Sequence, residues 1–455
     1  MAILYLTEAS GESIQENIHI WWIIWLLLDS FVNSGQAHIR AITGGTMTQF
    51  TDVPIFDADQ HMYELPEALT RHLPERYQKA VQFVQVGKRT RIAILGRITE
   101  YIPNPTFERV ARPGGHEKFY SGHNTEGLTL REMQGPPIEA PAATRNPQDR
   151  IKELDRQEVR ETLIYPTLAN LVEHSAAEDP ELTMAMIHAL NQWMLEHWGF
   201  TYQGRLFMTP VINCAEVDGA LRELEYILEN GAKVALIKPA PVKGFRGWRS
   251  PALPEFDPFW REVEAAGLPI VLHASQPPLT EYIDMWEPPD TNSFMEMSAF
   301  RWVVLGHREI ADMLSSLICH GTLTRFPKLR IASVENGSSW IHPLFHDLED
   351  VYNKMPQNFP EHPLDVFRRN VWVSPFWEGK VSDVVQTVGW DKVLFGSDYP
   401  HPEGLAEPRR YYQYAEGMDR RRTYDFMGDN ARRFMGLPIA NPDPEATKPP
   451  VLTHA

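Results

Sequence analysis

Eight short runs rich in Val, Ile, Leu and Phe, most of them separated by longer stretches of helical periodicity, constrain this chain more than any other feature. In order they are VPIFDAD (53–59), ETLIYPT (161–167), RLFMTPVIN (205–213), AKVALIKPA (232–240), LPIVLHAS (268–275), LRIASVEN (329–336), NVWVSPF (370–376) and DKVLFGSD (391–398). Near-continuous apolar content suits strands covered on both faces, as in a parallel sheet. Strands alternating with helices build βα units. Eight of them predict an α/β chain closed into a (β/α)8, or TIM, barrel.

The intervening helices are expected at Pro180–Trp198, Ala215–Asn230, Asp257–Ala266, Ser293–Cys319, Trp340–Asn353, Lys380–Val388 and Ala406–Gly417. Asn230-Gly231 reads as a helix C-terminus, because glycine adopts the left-handed conformation of a cap. Asn146-Pro147 opens another helix, since proline loses nothing in a first turn. Residues 62–146 break the rhythm with a hairpin (VQFVQV, then TRIAIL) and a Pro- and Gly-containing stretch. They read as an insertion after strand one that closes over a substrate.

The barrel domain is expected to span 47–437, with a proline-rich tail over 438–455. Residues 1–46 are read as an extension ahead of a natural start at Met47. Their apolar run IWWIIWLLL (20–28) falls well short of the roughly 20 residues a membrane span needs. No Lys or Arg precedes that run, as a secretory signal would require.

A chain of 455 residues, 43% hydrophobic, can bury one large core or two ordinary ones. Its formal charge of -17 repels nucleic acid and anionic membranes. Cys214 and Cys319 are the only cysteines and form no CxxC pair, so a disulfide framework and a thiolate metal site are both unsupported, and a reducing cytoplasm is expected. A serine hydrolase is disfavoured because no GxSxG elbow is present.

In a barrel the chemistry gathers where the strands end. Strand one ends in Asp57-Ala-Asp59-Gln-His61, strand four in Lys238, strand five in His273, strand six in Glu335-Asn336 and strand eight in Asp398. The period of two turns Asp57, Asp59 and His61 to one side. Singly, an Asp at a strand end is commonly a helix cap, and a His a hydrogen-bonded core residue. Their coincidence at the ends of strands one, five and eight points to a chelate. Two imidazoles and two carboxylates suit one divalent ion, Zn2+ or Mn2+ first among them.

The blocks DADQH (57–61), IVLHAS (270–275), FPKLRIASVENGSSW (326–340), VSPF (373–376), FGSDYPHPEG (395–404) and GDNARRFMGL (428–437) carry a resemblance. Over about 53–437 the chain resembles the amidohydrolase-related family of the amidohydrolase superfamily, which includes aminocarboxymuconate-semialdehyde, resorcylate and carboxyvanillate decarboxylases. The resemblance implies a metal held by Asp59, His61, His273 and Asp398. Two positions depart from the family pattern: Asp59 stands where His or Glu is common, and Glu335 where His is common.

The resemblance further implies a decarboxylase of a small, cyclic or aromatic organic acid. A metal-dependent hydrolase of a C–N, ester, lactone or C–C bond is the alternative, and a noncatalytic, metal-stabilised interaction protein the third reading. Asp398 and Glu335 are the candidate proton carriers, with Glu335 also open to a role as a further ligand, an anchor for a substrate cation or a partner in a salt bridge. Lys238 and His401 are the candidate substrate contacts, each with a structural alternative, and Trp302, Trp340, Phe376 and Trp377 the candidate aromatic wall. A small-molecule substrate and a homodimer are expected.

Overall fold

The structure is a computed structural model; it describes residues 51–441 apart from 100, 277, 289–293, 307, 376–380 and 416. The extension over 1–46 and nearly all of the tail lie outside the described residues. The strands that matter are β1 (Ile55–Met62), β2 (Val81–Val86), β3 (Arg89–Ile94), β4 (Arg97–Thr99), β5 (Val159–Pro166), β6 (Leu206–Met208), β7 (Ala235–Ile237), β8 (Ile270–His273), β9 (Ile331–Val334) and β10 (Val371–Val373).

Strand pairing follows a circuit. β1 runs parallel to β5, with His61 opposite Tyr165, and β5 runs parallel to β6. A parallel bridge from Val211 to Leu236 leads to β7, which continues through β8, β9 and β10 in parallel register. Bridges from Val373 to Val393 and from Tyr399 to Gln60 then carry the pairing through residues 393–399 and back to β1. The expected eighth strand is thus an extended segment held by single bridges. Leu394 N–H donates to Val373 O, Ala58 N–H to Phe395 O, and Asp398 N–H to Asp59 O, each at 2.8 Å. Because every step is parallel, the C-terminal ends of these segments open on one edge.

Helices fill the connections. They include α1 (Pro147–Gln157), α2 (Pro180–Trp198), α3 (Val217–Glu229), α4 (Asp257–Ala266), α5 (Ala299–Leu305), α6 (Arg308–Cys319), α7 (Ile341–Lys354), α8 (Pro363–Asn370) and α9 (Val381–Val388). The Asn146 side chain caps α1 by accepting from Asp149 N–H at 2.8 Å, and Gly231 takes φ +82° just beyond α3. Trp193 and Trp198 of α2, with Phe259 and Trp260 of α4, belong to the continuous buried core that surrounds the strands.

Two expected helices are corrected. The helix expected over Ser293–Cys319 is broken: Ser298 caps a new start, its hydroxyl accepting from Arg301 N–H at 3.0 Å, and Gly306 ends α5 before α6 begins. The helix expected over Ala406–Gly417 is a 3-10 helix, Pro408–Ala415. The helical content of α8 and of Arg420–Met435 escaped the sequence reading.

Residues following β1 form the antiparallel sheet β2–β3–β4, which includes the expected hairpin, and a two-strand pair joining Arg109–Val110 to Ile138–Glu139. Among the described residues no helix is long and apolar enough to cross a membrane.

Candidate metal centre

The site begins with an irregularity in β1. Its register against β5 shifts between Asp57 and Gln60, so the simple alternation expected for Asp57, Asp59 and His61 does not hold. Asp59 and His61 face the interior cluster. Asp57 instead accepts hydrogen bonds from Ser397 N–H (2.9 Å), Ser397 Oγ (2.6 Å) and Gln60 Nε2 (2.9 Å). Gly396 allows this approach of chain 393–399 to β1: a Cβ there would stand 2.8 Å from Asp59 Cβ and 2.7 Å from Ser374 Oγ.

Two residues at segment ends hold left-handed backbone conformations, Glu335 (φ +59°) and Asp398 (φ +55°). For non-glycine residues this costs of order 1–3 kcal/mol each, and such strain gathers where function requires a particular side-chain direction. Both carboxylates turn toward the same cluster. His61 Nε2 lies 3.4 Å from Asp59 Oδ1 and 3.3 Å from Asp398 Oδ1; His273 Nε2 lies 3.5 Å from Asp59 Oδ1 and 3.0 Å from Glu335 Oε2.

These atoms fit a metal ion. Asp59 Oδ1, His61 Nε2, His273 Nε2 and both oxygens of Asp398 are buried without a hydrogen-bond partner, a costly arrangement unless another group satisfies them. Donors about 2.0–2.2 Å from a common tetrahedral ion stand roughly 3.4 Å apart, close to the spacings found here. His273 Nδ1 lies 2.9 Å from Ala274 O, which can only accept; the ring therefore carries its proton on Nδ1 and presents Nε2 with a free lone pair. Asp59, His61 and His273 form one group of mutually close donors, and His61, Asp398 and His401 another. One divalent ion, such as Zn2+ or Mn2+, suits the four side chains.

Burial pushes the Asp59 carboxyl up, but the His273 and His61 rings, which can donate to it whenever no ion occupies their Nε2 lone pairs, hold it down at about 2. Asp398 moves the other way: burial, then the like charges of Asp59, Glu403 and Asp57, push it well above the usual carboxylate range. Burial also drives the His61 imidazole well below its ordinary value, aided by His401, which keeps it neutral as a ligand must be.

His401 belongs to the cluster. Its Nδ1 lies 2.8 Å from Asp398 Oδ1, its Nε2 3.2 Å from Thr167 Oγ1, and its ring centroid 3.9 Å from that of His61. Lys238 is placed differently: it is buried just beyond β7, outside the cavity lining, with Glu173 and Glu309 as the charges acting on it. Trp302 lines the cavity, Trp340 packs on Phe367 instead, and Phe376 and Trp377 lie outside the described residues.

A cavity of about 750 Å³ adjoins the cluster at Thr167, Glu335, His401 and Glu403. Much of its wall comes from the residues between β1 and α1, among them Tyr101, Phe107 and Tyr120. That segment is tied down by an Arg131–Glu296 ion pair and by Tyr120 edge-on to Trp302. Glu403 was missed by sequence reasoning, although it stands inside the FGSDYPHPEG block, five residues after Asp398; together with Glu335, Asp398 and His401 it makes a third group of close donors.

Residues 57–437 match the family described as amidohydrolase, and the chain belongs to that family. A solved amidohydrolase from Mycobacterium avium subsp. paratuberculosis K-10 is 34% identical, with a TM-score of 0.79 over 85% of this chain and all of that one. A 2-amino-3-carboxymuconate-6-semialdehyde decarboxylase of Dictyostelium discoideum is 23% identical over 195 residues, 40% of this chain and 49% of the relative. The chain spans about half the length of the curated relatives it matches. A dihydroxybenzoic acid decarboxylase from Polaromonas sp. JS666, solved with manganese and 2-nitroresorcinol, shares the fold at 13% identity and a TM-score of 0.51, over 84% of this chain and 97% of that one.

Proposed function

We propose that this protein is a metal-dependent decarboxylase of aromatic acids, built on a (β/α)8 barrel whose insertion after strand one roofs the site. The closed circuit of parallel pairings supports the barrel. Decarboxylase activity in the relatives supports the reaction. The observation that carries the reading is the convergence of buried side chains that can donate to a metal, from Asp59, His61, His273 and Asp398, beside a cavity with aromatic walls.

Asp59, His61, His273 and Asp398 would hold the ion, which would supply positive charge to offset that of a substrate carboxylate. The protein's own groups do the rest. Decarboxylation breaks the bond between ring carbon and carboxylate, leaves its electron pair on that carbon and requires a proton there. Asp398 and Glu335 are the carriers of that proton; Glu335 opens directly on the cavity. His401 contacts substrate and braces Asp398. The aromatic walls exclude water and stack on the ring. Cys214 and Cys319 are both unbridged thiols, which fits a reducing cytoplasmic location.

The test is CO2 release from a panel of hydroxybenzoates and carboxyvanillates by protein loaded with Mn2+ or Zn2+, run in D2O to follow deuterium entering the ring. Label at the vacated carbon supports the reading. Turnover of amides or lactones with no CO2 from any acid overturns it in favour of hydrolysis.

A further inference from the structure

The cavity is large and chemically divided. Its roughly 750 Å³ falls among pockets that enclose drug-sized ligands, and a single-ring acid would leave much of it to water. The end beside the metal cluster is acidic, with Glu309, Glu335 and Glu403 on its wall, while Lys238, which feels the charge of Glu309, lies outside the lining. The basic side chains lie elsewhere. Arg131 pairs with Glu296, Arg301 pairs with Glu287 at 2.7 Å, and Arg109 donates to Pro137 O.

Lys88 and Arg89 differ from these. Both line the cavity, both are exposed, and neither makes an ion pair among the described residues. They sit where β2 turns into β3: Val86 pairs with Arg89 across a two-residue turn in which Gly87 takes φ +61°. So short a turn holds the backbone of both cations in one place. Two cations on one short turn, neither of them paired with a carboxylate among the described residues, can hold an anion.

We infer that the substrate has two parts: an aromatic acid head at the metal end, and an arm that runs along the cavity past Tyr101 to a terminal carboxylate held by Lys88 and Arg89. This assignment deepens the decarboxylase reading and rests on it. It makes the β2–β3 turn a specificity element that binds substrate far from the reacting carbon. The turn plays no part in the chemical step.

The test uses metal-loaded, full-length protein with 2,6-dihydroxybenzoate, with homologues carrying ω-carboxyalkyl arms of increasing length at ring position 4, and with the matching terminal amides. For at least one arm length, the wild type is expected to favour the carboxylate over its amide by about tenfold or more in kcat/KM, mainly through KM. The Lys88→Ala/Arg89→Ala double variant is expected to lose that preference while keeping its kcat/KM on 2,6-dihydroxybenzoate. Equal use of acid and amide arms at every length, or a preference that survives in the double variant, overturns the inference. If no compound releases CO2, the decarboxylase reading falls, and titration calorimetry with the armed acids decides the subsite separately: weaker binding by the double variant supports it, and equal binding overturns it.

Discussion

Ser397 donates its backbone N–H to one oxygen of Asp57 and its hydroxyl to the other, at 2.9 and 2.6 Å. This pair ties β1 to segment 393–399 one residue before Asp398 and two before Asp59, so it fixes the separation of two candidate ligands. Replacing Ser397 with Ala removes one donor from a fully buried carboxyl, which costs about 1–3 kcal/mol. Ser397→Ala is expected to unfold at lower temperature and to retain less metal after dialysis, as measured by calorimetry and elemental analysis.

The donors themselves should be less replaceable. Loss of a group that merely supports a ligand costs roughly 10–100-fold in metal affinity or activity, and loss of a ligand costs at least that. His61→Ala, His273→Ala and Asp398→Asn are each expected to lower metal stoichiometry and to abolish most turnover. A stoichiometry equal to that of the wild type in all three would remove the metal centre from this position.

Gly396 offers a test of geometry without altering any donor. A methyl there meets Asp59 Cβ at 2.8 Å, an atom fixed by its backbone, and Ser374 Oγ at 2.7 Å. Overpacking of this kind costs about 1–3 kcal/mol. Gly396→Ala is expected to weaken metal binding as Asp59 is displaced, with metal titration against a competing chelator as the readout.

Glu64 supplies a pH dependence. Burial raises its carboxyl from 4.5 to about 7, although Leu168 N–H donates to Oε1 at 2.7 Å. A folded-state value above the unfolded one means that the native state binds more protons between these limits. The contribution is therefore fully present below about pH 4.5 and is lost as pH rises through about 7. Urea midpoints should fall between pH 5 and pH 8 in the wild type. In Glu64→Gln, which cannot ionise, they should fall less. A residual slope is expected from Asp57, also raised to about 7, first by burial.

Much of this was legible along the chain because βα units write themselves locally: apolar runs, a cap such as Asn146, a stop such as Gly231. The helices Pro180–Trp198 and Asp257–Ala266 were readable to the residue, since Pro180 follows the capping Asp179 and Gly199 and Gly267 stand at the ends. Other features were hidden because they depend on distant partners. Segment 393–399 bridges two strands yet builds no ladder. Asp57 looks equivalent to Asp59 until the register shift separates them. Nothing local marks Tyr101 or Lys88 as cavity wall; only folding the residues after β1 across the strand ends puts them there.

The succession of apolar strand segments and the chemical type of the candidate donors were determined by the sequence alone, because periodicity and residue type are local properties. The tertiary structure alone decided which atoms of those donors meet. Asp59, His61, His273 and Asp398 come from three distant segments, and spacings of 3.3–3.5 Å among them arise only when parallel pairing returns from residues 393–399 to β1. Metal coordination depends on the distances between side chains, and those distances are set by the pairing of residues 393–399 with β1.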